Sequence, residues 1–269
     1  MAPSLAVLMT AYNAEKTIGM AITSLKRDPE PFDLLIVDDC SRNPVADLVG
    51  TIDKSIEVIR PERNLGVAGA KNFGLQHLLG RNYEFIAMMD ADDVSLYGRL
   101  TKQVSFLRAH PDVALVGTWA RYVNEDTREL VFRFCPPCDA RGIRDALFLN
   151  NCMVHPTWMI RTEALRLAGL YSQEFPAAED YEMLRRIAAR FELANLPECL
   201  LDYSISMSGV SMSRRRRQLF DRLRIQAKYF DPWRLNAWLG MARTLALFAV
   251  PRSVLAAYRV DRGLRLQHS

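Results

Sequence analysis

The chain has 269 residues, 49% of them hydrophobic and 25% charged, with a net charge of +4. This balance excludes a chain disordered along its length, and so mild a basic excess excludes a dedicated nucleic-acid binder. Five cysteines without regular spacing exclude a disulfide framework, no uninterrupted apolar run is long enough to span a membrane, and the N-terminus lacks the pattern of a signal peptide, so a cytoplasmic location is expected.

The first hundred residues alternate two patterns. Short apolar runs at 5–10, 33–38, 55–60 and 83–90 predict strands. Helices are predicted around 15–27, 45–53, 67–80 and 96–109. Continuous apolar strands separated by helices point to an α/β fold with a mostly parallel sheet covered on both faces. Such sheets bind ligands beyond the carboxyl ends of their strands. Polar residues collect at those ends: Thr10, Tyr12 and Asn13 after the first strand, Asp38 to Ser41 after the second, Arg63 and Asn64 after the third, and Asp90, Asp92 and Asp93 after the fourth.

Beyond residue 112 the direction becomes mixed. Residues 113–123 and 129–134 read as strands split by a turn, and 139–149 as a helix. Residues 155–161 read as a strand, 162–170 as a short helix closed by Gly169, 178–191 as a helix and 199–206 as a last strand. One mixed α/β domain is expected over 1–205. The tail, 206–269, carries helical patterns over 213–230 and 233–260, punctuated by Pro232 and Pro251.

Each polar cluster has a chemical and a plain reading. The carboxylates of Asp90, Asp92 and Asp93 suit Mg²⁺ or Mn²⁺, hard cations held by few carboxylates plus substrate phosphates. Alternatively Asp93 or Ser95 caps a helix starting near Leu96. One of Asp38 and Asp39 could accept from a base imide N–H, or the pair builds a turn or cap. Thr10 and Tyr12 offer a hydroxyl and a stacking face, or are ordinary loop residues. Gly66 and Gly69 suit close approach to a phosphate, or a helix end; there is no P-loop and no G-x-G-x-x-G. Glu179 and Asp180, at the start of a predicted helix, read plainly as charge that complements the helix dipole. A lone His155 reads plainly as structural, and Trp158 as core. Cys135-Pro-Pro-Cys138 has no second pair to complete a zinc site.

The ordered set VLMTAYNAEKTI, LLIVDDCS, RNLGVAGAKN, MMDADD and AEDYEMLRRIA resembles glycosyltransferase family 2, the inverting GT-A nucleotide-sugar enzymes, over roughly residues 4–205. The resemblance implies a GT-A fold, with a nucleotide-binding half (1–111) and an acceptor-binding half (112–205) on one continuous sheet. It implies that Thr10, Tyr12 and Asp39 border the nucleoside, with Asp38 close by, and that Lys71 approaches the nucleotide. Asp90, Asp92 and Asp93 become the metal-linked motif, with Asp92 or Asp93 the direct ligand of Mn²⁺ or Mg²⁺. Asp180 becomes the catalytic base; Glu179 caps, orients or contacts the acceptor, and His155 lies in a loop lining the site. The expected donor is a UDP-, GDP- or dTDP-sugar and the acceptor a glycan or lipid-linked hydroxyl.

Two other functions compete with this one. A sugar-1-phosphate nucleotidyltransferase needs a Gly-rich, Arg-bearing loop after the first strand, which is missing. A non-catalytic scaffold or glycan-binding protein of the same fold is disfavoured by intact Asp92, Asp93 and Asp180. For the basic tail the readings are contact with the inner membrane surface through 213–260, packing or a homo-oligomer contact, and a lid bringing Arg214 or Arg215 to the diphosphate.

Overall fold

The computed structural model describes residues 3–205 and 215–249. The apolar runs of the first half become β1 (Leu5–Ala11), β2 (Asp33–Asp38), β3 (Glu57–Ile59) and β4 (Phe85–Asp90), with α1 (Ile18–Leu25), α2 (Val45–Ile52) and α3 (Gly66–Leu79) between them. The second half adds β5 (Val94–Ser95), α4 (Arg99–Ala109), β6 (Val113–Asn124), β7 (Leu130–Phe134), α5 (Ala140–Leu147), β8 (Met159–Arg161), α6 (Thr162–Ala168), α7 (Glu179–Ala188) and β9 (Glu192–Ile205). Helices α8 (Arg215–Lys228) and α9 (Leu235–Ala249) follow.

The strands make one sheet in the order β3-β2-β1-β4-β8-β6-β9-β5, with β7 paired to β6. The β3-β2-β1-β4 half is parallel, and β8 runs antiparallel to both β4 and β6. Side chains of a strand alternate between faces, and β1 divides accordingly. Leu5, Val7 and Met9 enter a core with α1, α2 and α4 residues, while Ala6 and Leu8 enter the other with α3, α6 and α7. On that second face α3 lies tight on the sheet because Gly74 has no side chain: a Cβ there would stand 2.4 Å from Leu8 Cδ1 and 2.8 Å from Val37 Cγ2.

Three elements differ from expectation. Residues 155–157 form a 3₁₀ turn carrying Pro156, so the strand expected over 155–161 starts only at Met159. The last strand begins at Glu192 rather than 199. Pro197 hides its first half, and the register with β6 jumps there, from Thr118↔Leu196 to Trp119↔Cys199, so that a bulge takes the residue that cannot donate. The fourth helix starts at Arg99 after Gly98 (φ 80°), because Val94 and Ser95 first pair with Asp202 and Leu201.

The parallel register fixes the place of the polar clusters. Thr10 stands beside both Val37 and Asp90, and Ala11 beside Asp38, so the ends of β1, β2 and β4 share one edge. The tail helices pack on the domain: Gln226 Nε2 donates to the Leu149 carbonyl (3.1 Å), Arg185 Nη2 to the Tyr229 carbonyl (3.0 Å), and Lys228 pairs with Glu182. Among the described residues no helix is long and apolar enough to cross a membrane. The expected lid at 206–214, including Arg214, and the end of the 213–260 segment lie outside the described residues.

Candidate active site

The loops after β1 and β2 are tied to each other. Asp39 N–H donates to the Ala11 carbonyl, Asn13 N–H to Ser41 Oγ and Arg42 N–H to Asn13 Oδ1, each at 2.9 Å. Asn13 (φ 51°) and Cys40 (φ 61°) adopt left-handed backbone, a conformation that costs non-glycine residues free energy and concentrates at functional sites. Thr10 is half-buried on this rim, and Tyr12 is 58% exposed, its ring open to a flat partner.

The two aspartates of β2 have separate tasks. Asp38 is buried and accepts from Ser41 N–H (2.9 Å), Val45 N–H (3.1 Å) and Arg60 Nη1 (2.6 Å). Burial alone would raise its pKa; the bonds from Ser41, Val45 and Arg60 outweigh it and hold the carboxyl below the ordinary range. This is the turn-and-cap role at the start of α2, with the Asp38 oxygens engaged inside the loop behind Asp39. Asp39 accepts from Leu65 N–H (2.7 Å) and Gly66 N–H (2.9 Å) at the start of α3. Each of its oxygens has a single donor there, which leaves acceptor capacity.

The aspartates after β4 separate by burial. Asp90 is half-buried, Asp92 exposed, and Asp93 buried. Asp93 Oδ1 accepts from Ser204 N–H (2.8 Å), while its Oδ2 has no partner among the described residues. Burial, with Asp92 and Asp90 adding, pushes the Asp93 carboxyl well up. Asp90 is pushed up to about 6, chiefly by burial; Lys71 opposes this, and Asp92 and Glu179 add to it. Asp92 is also raised, by burial first, with Glu125 adding and Arg128 opposing. The helix-cap alternative for Asp93 and Ser95 fails: no side chain of the adjoining turn caps α4. Asp28 does so from 72 residues before Leu100, accepting from Leu100 N–H (2.9 Å) and Thr101 N–H (3.2 Å).

The second acidic group stands at the start of α7. Asp180 is half-buried; its Oδ2 accepts from Asn151 Nδ2 (2.8 Å) and its Oδ1 from Tyr181 N–H (2.7 Å). Asn151 Oδ1 in turn accepts from Met153 N–H (3.0 Å), which sets the amide's orientation. Glu179 pairs with the buried Lys71 at 3.2 Å. Burial raises Asp180 to about 6; Glu179 adds to the rise, while Lys71, Tyr181 and Asn151 oppose it. Asp90 and Asp180 thus both feel the charges of Lys71 and Glu179, so both acidic groups stand near one buried ion pair.

His155 sits one layer behind. It is buried, its Nε2 is 2.8 Å from the Tyr171 hydroxyl, and burial with Lys71 nearby keeps it neutral. The Tyr171 ring lies 5.4 Å from Lys71 Nζ, so His155 braces the wall that carries the ammonium and lines no open surface. Trp158 is core, fully buried. Asn151, Tyr171 and Arg128 escaped the sequence reading. None belongs to a periodic pattern or a motif, and only the fold brings them here.

Among the described residues no three His, Cys, Asp or Glu side chains form a cage for an ion. A divalent cation that takes most of its ligands from phosphate and water needs none. Exposed Asp92 and half-buried Asp90, both raised chiefly by burial, are hard oxygen donors of the kind such a cation takes.

The profile of the family described as Glycosyl transferase family 2 matches residues 6–167. The chain is 30% identical to the O-antigen biosynthesis glycosyltransferase WbnJ of Escherichia coli, over 78% of this chain and 82% of that protein. The solved structure of S. aureus TarS residues 1–349 with UDP-GlcNAc superposes at a TM-score of 0.69, 19% identity, over 91% of this chain and 72% of that one. The mannosyltransferase PcManGT from Pyrobaculum calidifontis, in complex with GDP-Man and Mn²⁺, superposes at 0.62 and 18% identity, over 98% and 81%. Both structural likenesses are of fold: the same curled mixed sheet flanked by helices, the GT-A fold.

Proposed function

The chain belongs to glycosyltransferase family 2 and is a glycosyltransferase using a nucleotide-sugar donor; from that premise we propose that it is an inverting enzyme in which Asp180 is the general base and Asp92 the metal ligand. The sugar goes to a hydroxyl of a glycan or lipid-linked acceptor, a reading favoured by the O-antigen role in the name of WbnJ. The observation that carries the proposal is the shared Lys71–Glu179 pair, which couples Asp90 and Asp180 to the same charges.

The chemistry divides between the two sides. A carboxylate positioned on the acceptor side takes the proton of the attacking hydroxyl as its oxygen bonds to the anomeric carbon and the bond to the diphosphate breaks. A base works best when its pKa lies near the operating pH. Asp180, raised to about 6, is ionised at neutral pH yet basic enough to hold the proton. Asn151 directs one of its oxygens and the Tyr181 N–H the other. Glu179, tied to Lys71, orients rather than reacts. On the donor side, Asp92 with Asp90 would hold Mn²⁺ or Mg²⁺, which would supply Lewis-acid stabilisation of the diphosphate; PcManGT with Mn²⁺ supports that choice. Asp93 is turned inward and serves as a brace. Asp39 accepts from the base, and Thr10 and Tyr12 border the nucleoside.

The test is a thermal-shift screen of UDP-, GDP- and dTDP-sugars with Mn²⁺. A donor at a hundredfold excess over its Kd stabilises by about 2.7 kcal/mol, a rise of roughly 5–10 °C for a chain of this size. No response to any sugar nucleotide would overturn the site assignment.

A further inference from the structure

Helix α9 points its large apolar side chains outward. Its buried stripe is small: Ala237, Gly240 and Thr244. Trp238 is 56% exposed, Leu239 50%, Leu245 53% and Phe248 44%, and Trp233 just before the helix is 93% exposed. The cause is a close crossing. A Cβ on Gly240 would lie 2.0 Å from the Phe148 carbonyl oxygen, so only small residues fit inside and the bulky ones are left outside. Arg243 is the only charged residue in the helix. A surface helix normally turns polar residues to water, and a contiguous exposed apolar face marks an interaction site.

Charge says what covers it. Residues 213–269 hold thirteen Lys and Arg against three Asp, although the whole chain is only +4; the rest of the protein is net acidic. Arg216, Arg217 and Arg243 make no ion pair with a carboxylate among the described residues. A second copy laid on this face would bring the same positive charges together. An anionic bilayer meets both features: Trp and Leu enter the headgroup boundary while Arg stays with lipid phosphates. We propose that α9, with Trp233, docks in the plane of an anionic membrane surface. The proposal concerns where the protein sits, not what it transfers, so either can fail without the other.

The full chain is sedimented with vesicles of phosphatidylcholine, alone or with about a third phosphatidylglycerol, and tryptophan quenching by brominated acyl chains is read on the bound fraction. Binding to the anionic vesicles, weakened by high salt and accompanied by quenching, is expected. The double variant Trp238→Ser, Leu245→Ser alters exposed positions. It should bind vesicles about tenfold or more weakly with unchanged melting temperature and unchanged donor turnover in solution. Arg216→Gln with Arg217→Gln should weaken binding mainly at low salt. The proposal is overturned by equal binding of the Trp238/Leu245 variant or by absence of vesicle binding. It is also overturned by a concentration-dependent dimer that this variant abolishes, or by shielding of Trp238 from acrylamide without vesicles, which would mean that residues 250–269 cover the face.

Discussion

Replacing Asp180 by Asn should make the protein more stable and nearly inactive, and the stability gain should depend on pH. In the folded chain the Asp180 carboxyl is raised from 3.8 to about 6, so the native state binds this proton more tightly than the unfolded chain. Stability at this site therefore falls as pH rises through the window from about 4 to 6. Integrated, the ionised carboxylate costs roughly 3 kcal/mol at pH 8 and roughly half that at pH 5. Asn carries no charge but has one acceptor oxygen, so it keeps one of the bonds from Asn151 and Tyr181. The lost bond offsets about 1–1.5 kcal/mol. The net gain is about 1.5–2 kcal/mol at pH 8 and close to nil at pH 5, a melting-temperature difference of roughly 3–8 °C that vanishes on acidification. Calorimetry of both proteins at the two pH values measures it. Transfer should drop by about 10²–10⁴-fold. An equal temperature difference at both pH values, or a variant less stable than wild type at pH 8, would refute the charge argument. Retained transfer would refute the base assignment.

Lys71→Met removes the buried ammonium that Asp90, Glu179 and Asp180 share; a loss of about 3–5 kcal/mol is expected, and the pH–rate profile should move to higher pH, with Lys71→Met, Glu179→Gln recovering part of the stability in urea melts. Asp92→Asn alters an exposed carboxylate, so the free protein should melt within a degree or two of wild type while Mn²⁺-dependent donor binding, read by calorimetric titration, disappears. Asp28→Ala removes the acceptor that caps α4 and should cost about 1–2 kcal/mol in a denaturant melt, with turnover unchanged.

Local patterning determined a good deal. The apolar runs of β1, β2 and β4 had to be strands buried on both faces, and a parallel sheet brings its strand ends, hence Thr10, Asp39 and Asp90, to one edge. The carboxylates themselves, and the start of α7 at Glu179 and Asp180, were legible because acidic residues at strand and helix ends stand out against apolar runs. Other features depend on contacts between residues distant in sequence, which no local pattern encodes. Asp28 caps a helix at Leu100, 72 residues on, and a bulge opposite Pro197 extends β9. Asp38 turns inward while Asp92 stays outside. Most of all, Lys71 of α3 and Asn151 of a loop meet Glu179 and Asp180 of α7 only once both helices are laid on the same face of the sheet. The sequence alone determined which groups carry charge; burial and neighbours, set by the tertiary structure, decided their pKa values and therefore which of them can take a proton.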